Sequence, residues 1–182
     1  MCNYYVALAL LEQIKNIFFR LSNSFRSARL QNESTQGEYN MTQLIQQLAT
    51  QWASAVASQN MEQIMAFYAD ELIAYDAVAQ LQFIGKAAYK THWQKCMEFC
   101  AGGHSKFELR NLNIHQNDHI AFSHALVYCE GSNEKGETQG CWMRLTQGWQ
   151  KQQDQWRIIH DHFSVPFDMV SGAVLFELTP EA

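Results

Sequence analysis

The chain has 182 residues, 47% hydrophobic and 13% aromatic, with a formal charge of −5 at neutral pH. That length suits one domain with an extension, and 11 Phe, 7 Tyr and 5 Trp can fill a core, which excludes global disorder. Two prolines and nine glycines exclude collagen and proline-rich scaffolds, and the acidic balance argues against nucleic acid as a partner.

Five cysteines, an odd number without a Cys-x-x-Cys pair, point to a reducing compartment, and a cytoplasmic location is expected. The apolar run from Tyr4 to Leu11 falls far short of the ~20 residues that cross a bilayer and fits a secretory signal poorly.

Residues 1–40 read as an extension. Lys15, Arg20, Arg26 and Arg29 against Glu12, Glu33 and Glu38 give it +1 and leave −6 for the rest. Residues 4–21 suit a helix with Leu10, Ile14, Ile17, Phe18 and Leu21 on one side, which can touch a membrane surface or pack on its own domain. A polar linker, 31–40, follows. The main domain is expected over 41–170, with a tail over 171–182.

From Leu44 to Val56 the apolar residues Leu44, Ile45, Leu48, Trp52, Ala55 and Val56 recur at helical spacing, with Thr42 as N-cap. Asn60 caps a short second helix, with Gln63 three residues on, that buries Ile64, Phe67 and Tyr68. Leu72 to Asp76 reads as a strand, followed by a connection to Gly85. Lys86 to Cys100 reads as a third helix, stopped by Gly102 and Gly103. Strands are then expected over 107–114, 120–130, 139–151 and 156–165, the first two joined through Asn117 and Asp118. Helices first and a meander afterwards predict an α+β domain: a curved antiparallel sheet with helices across one face.

Alternation along 156–166 puts Trp156, Ile158, His160, His162 and Ser164 on one strand face and Arg157, Ile159, Asp161 and Phe163 on the other. His160 and His162 could chelate a metal, line a pocket or sit as satisfied structural groups; no third ligand is fixed by spacing. Asp76 shares a face with Leu72 and Ala74. A carboxylate on an apolar face is biased toward general-base use, and the other reading is a turn cap at the strand end. Arg144, beside Trp142 and Thr146, either binds a carboxylate ligand or pairs with Asp76 or Asp161. His92, Cys96 and Cys100 stand at i, i+4 and i+8, a spacing open to a metal site or to plain packing.

Three blocks carry a family resemblance: Asn60 to Asp70 after the opening helix, Phe83 to Ala88 leading into a helix, and Met143 to Thr146 with Trp156 to Pro166. Together they resemble the SnoaL-like, ketosteroid-isomerase-like branch of the nuclear transport factor 2-like superfamily over about residues 41–168. The resemblance implies a cone-shaped, strongly bent sheet wrapped by about three helices around a deep pocket, and a homodimer through the outer sheet surface. Asp76 falls where ketosteroid isomerases keep their proton-shuttling aspartate. Their oxyanion-hole tyrosine falls near Trp52, and their partner acid near Leu145 or Thr146, neither a carboxyl.

Two functions follow as expectations. One is an isomerase or lyase, without metal or organic cofactor, acting on a hydrophobic small molecule. Its pocket is expected to be lined by Trp52, Tyr68, Asp76, Trp93, His124, Tyr128, Trp142, Arg144, His160 and His162. His124 and Tyr128 join because they share a strand face with Phe122 and Leu126. Asp76 or His162 would take a proton from a carbon acid while Arg144 or Trp52 steadies the oxyanion. The other is a non-catalytic dimeric module that holds a ligand or another protein.

Overall fold

The computed structural model describes residues 43–98 and 103–181. The expected helix over 4–21, the Thr42 cap and Cys100 lie outside them. The first helix, α1, covers 43–57. Its buried stripe is Ile45, Ala49, Trp52 and Val56, while Leu44 is left in solvent. Helix α2 (Met61–Ala66) starts where expected, because the Asn60 side chain accepts from the Gln63 N–H at 3.1 Å. It stops before Tyr68. The Phe67 carbonyl already accepts from the Ile158 N–H at 2.8 Å, so the chain has crossed to the sheet.

Strand β1 (Tyr68–Tyr75) therefore begins four residues earlier than the sequence suggests. A two-residue strand, β2 (Phe83–Ile84), and Gly85 at φ +85° lead into α3 (Lys86–Glu98), which buries Tyr89, His92 and Trp93. The remaining strands are β3 (Ser105–Gln116), β4 (Ile120–Ser132), β5 (Thr138–Gln152) and β6 (Gln155–Ser164). The Asn117 side chain closes the β3–β4 turn by accepting from the N–H groups of His119 and Ile120.

The six strands form one curved, open sheet in the order β2-β1-β6-β5-β4-β3. Four ladders are antiparallel. The fifth, β1 with β6, is parallel and joins the first strand of the domain to the last. Helices and sheet meet over an aromatic core in which Trp52 packs edge-on to Phe107 at 5.4 Å and Trp93 lies 6.2 Å from Phe163. No helix among the described residues is long and apolar enough to cross a membrane.

The alternation expected along β6 is corrected by a bulge. The ladder with β5 runs Gly148 to His160 and then Trp149 to Ile158, so Ile159 is an extra residue on β6. Trp156 and Ile158 face the core before the bulge; after it Asp161 and Phe163 do, and His160 and His162 turn to the outer face.

Candidate functional site

A cavity of about 330 Å³ lies between α3 and the inner sheet face. Its walls are Trp93 and Cys96 of α3, Phe107 of β3, Cys129 of β4, Cys141 and Met143 of β5, and Phe163 of β6. The tail residues Val174 and Phe176 complete it, and Asp76, at the end of β1, is the only carboxyl group among the described lining residues. A wider open groove of about 580 Å³ adjoins it, lined by the 75–81 segment and by His162 to Val165.

Asp76 is held on three sides. Its Oδ2 lies 3.1 Å from His92 Nε2 and accepts from the Tyr89 hydroxyl at 3.2 Å, while Oδ1 accepts from the Val78 N–H at 3.3 Å. The last contact is the turn cap that the sequence offered as an alternative to a base. His92 is buried against Phe83, with ring centroids 4.2 Å apart, and its Nε2 also meets Cys96 Sγ at 3.5 Å. Burial opposes its positive charge, but the contacts with Asp76 and Cys96 outweigh burial and lift its pKa to about 9. At neutral pH the pair is an imidazolium facing a carboxylate.

Behind the cavity runs a second polar system. Asp161 is fully buried, and its Oδ2 accepts from Tyr68 at 2.6 Å and lies 3.4 Å from the Tyr89 hydroxyl. Tyr68 in turn accepts from Trp52 Nε1 at 3.1 Å. Burial pushes the Asp161 carboxyl up to about 7, aided by the Asp76 charge and opposed by the Tyr68 and Tyr89 hydroxyls that donate to it and by the nearby Gln147 amide. Gln147 stands opposite Asp161 across the β5–β6 ladder, and its Nε2 and Asp161 Oδ1 are both buried without a hydrogen-bond partner. Burial, followed by the Asp161 charge, drives the phenols of Tyr68 and Tyr89 well above their ordinary range, so both are neutral donors.

Of the residues expected to line the pocket, Asp76 and Trp93 do so. Trp52 and Tyr68 sit one layer deeper, with the Trp52 indole N–H already spent on Tyr68. His124, Tyr128, Trp142 and Arg144 are on the outer sheet face, because the buried residues of β4 and β5 are their neighbours of opposite phase, such as Ala125, Val127 and Leu145. There His124 stacks on His115 at 6.5 Å, Tyr128 meets Trp142 at 5.3 Å, and Arg144 is exposed and far in phase from Asp161. His160 Nδ1 meets the Ile73 carbonyl at 2.9 Å on that face, and His162 borders the open groove. Among the described residues no three His, Cys, Asp or Glu side chains stand together as a metal site.

Sequence reasoning missed Tyr89 and His92 as partners of Asp76, and it placed Asp161 only as a partner for Arg144. One signal for Asp161 was present. Strict alternation sets the large apolar residues Ile158 and Phe163 on opposite faces, and a bulge between them resolves the conflict.

The chain was compared with known proteins. A family model described as SnoaL-like domain matches residues 45–168. A solved nuclear transport factor 2-like protein of unknown function from Pseudomonas putida is 41% identical, with a TM-score of 0.69 over 76% of this chain and 95% of that one. Two more distant structures share the fold. One, from Novosphingobium aromaticivorans and provisionally named a scytalone dehydratase, is 13% identical, with a TM-score of 0.62 over 74% of this chain and 93% of that one. The other, the association domain of the C. elegans calcium/calmodulin-dependent protein kinase II, is 16% identical, with a TM-score of 0.58 over 70% and 98%. No curated protein matches. With the fold and the match over residues 45–168 in agreement, this chain belongs to the SnoaL-like family, within the nuclear transport factor 2-like superfamily.

Proposed function

We propose that this chain binds an apolar small molecule in the cavity beside α3 and moves a proton on it, as an isomerase or lyase without organic cofactor. The observation that carries this reading is a single charged pair, Asp76 with His92, set into walls of aromatic rings and sulfur. Asp76 takes the proton from a carbon acid. His92, protonated at neutral pH, holds the carboxylate in place and balances its charge before transfer. The indole N–H of Trp93 has no acceptor in the protein, although the side chain lines the cavity. A turn of the buried ring would offer it to a ligand oxygen as charge develops there, in place of Arg144 and Trp52. The provisional dehydratase name of the Novosphingobium structure fits a lyase that removes a proton.

The test begins with native mass spectrometry of the protein purified from its own cells, to identify a retained ligand. Turnover of that compound is then compared across variants. Asp76→Asn is expected to lose on the order of 10²–10⁴-fold in kcat. If Asp76→Asn keeps full turnover and His162→Ala abolishes it, the open groove is the site and this reading fails. If the ligand is retained but unchanged by the protein, the module is a binder rather than an enzyme.

A second reading concerns assembly. We propose that two copies pair through the outer sheet face, where Ile73, Tyr75 and Phe122 are each 40–46% exposed beside His115, His124, His160 and His162. The association domain from C. elegans lends this support.

A further inference from the structure

We infer that Asp161, which does not line the cavity, is a positioning residue for Asp76 and acts on it through the hydroxyl proton of Tyr89. The inference rests on the reading of Asp76 as the cavity's working carboxylate. Its geometry is that of one donor between two acceptors. The Tyr89 oxygen lies 3.2 Å from Asp76 Oδ2 and 3.4 Å from Asp161 Oδ2. A phenol carries one proton and can satisfy only one of them at a time.

The other groups around this point leave Tyr89 as the movable one. Trp52 of α1 donates to Tyr68, so the Tyr68 proton is directed to Asp161 at 2.6 Å. His92 of α3 is bound to Asp76. From β5, Gln147 faces Asp161, and neither Gln147 Nε2 nor Asp161 Oδ1 has a partner, so that side holds room for a change of protonation. No other titratable side chain is in hydrogen-bond contact with Asp161 among the described residues.

Two states follow. With Asp161 ionised, two carboxylates compete for the Tyr89 proton, and Asp76 loses a donor while facing a buried negative charge. Both effects make Asp76 hold a proton more tightly. With Asp161 protonated, it needs no second donor; Tyr89 turns to Asp76 and weakens it as a base. The two carboxylates therefore titrate as a coupled pair, and the larger part of the coupling passes through one hydroxyl group, the rest being direct repulsion between the two charges.

Carboxyl ¹³C NMR on the full chain labelled at aspartate tests this without a substrate. In the native protein the Asp76 resonance should move in two steps, the second tracking Asp161. Tyr89→Phe keeps the ring that packs against Tyr68 and His92 and removes only the hydroxyl group; it should shrink the second step at Asp76 several-fold while Asp161 still titrates. Asp161→Asn should leave one step at Asp76, displaced to lower pH by about a unit. If the second step survives Tyr89→Phe unchanged, the coupling is through space and the inference is overturned. If Asp161→Asn does not fold, Tyr89→Phe alone decides. Failure of Asp76→Asn to lower turnover would instead sink the proposed reaction and leave this coupling standing.

Discussion

Asp161 and His92 carry opposite charges when ionised, yet both make the fold less stable as pH rises. Asp161 has an ordinary value of 3.8 and stands near 7 in the fold, so between those limits the folded chain holds a proton that the unfolded chain has lost. His92 does the same between 6.5 and about 9. Each group therefore removes stability as pH climbs through its window, at about 1.4 kcal/mol per pH unit. In the opposite sense, exposed Asp70 and half-buried Glu130 and Asp168 are held below their usual range by Lys86, by Tyr128 with His104, and by the 168–171 turn. Their contribution is lost only on acidification below about pH 4. Urea midpoints should thus be highest near pH 4–5 and decline toward pH 9. Asp161→Asn should flatten the lower part of that decline and His92→Gln the upper part; equal midpoints from pH 5 to 9 in the native chain would contradict both assignments. Asp76 was legible in the sequence, because a carboxylate on an apolar strand face is conspicuous. Its partners were not, since Tyr89 and His92 reach it from a helix more than ten residues away.

Elements were legible wherever local chemistry decides. The Asn60 cap is such a case: one side-chain oxygen satisfies the Gln63 N–H and sets the start of α2. Asn60→Ala should cost about 1 kcal/mol in chemical denaturation, and Asn60→Asp should restore most of it. No measurable loss would mean that packing of Ile64, not the cap, sets the helix start. The start of β1 was misread because its first residue, Tyr68, pairs with Ile158, about ninety residues away. The phase of β6 was misread for a related reason. A bulge is a property of two strands in register, here Gly148 and Trp149 against His160 and Ile158, and one strand's alternation does not contain it. That single extra residue exchanges the two histidines for Asp161 on the inside, which changes the chemistry available to the interior.

For the whole molecule, the outer sheet face carries the next prediction. Its central row runs from Asn113 through His124, Thr146 and His162 to Tyr75, with Phe122 and His160 in the row beside it. A two-fold pairing would use this patch on both copies, each residue meeting a different one across the axis and only those on the axis meeting their own copies. Phe122→Glu should convert a dimer to a monomer in sedimentation velocity at micromolar concentration, leaving the thermal transition cooperative. An unchanged mass would place any association elsewhere. The sequence alone determined the α+β class and, among the described residues, the helix and strand count to within one short strand, because composition, periodicity and capping act between near neighbours. The tertiary structure alone decided the parallel β1–β6 ladder, the inward turn of Asp161, the outward turn of Arg144, Trp142 and the histidines, and the walls of the cavity. Those depend on which distant segments pair and in what register, and that choice is made by burial summed over the whole sheet rather than by any one stretch of chain.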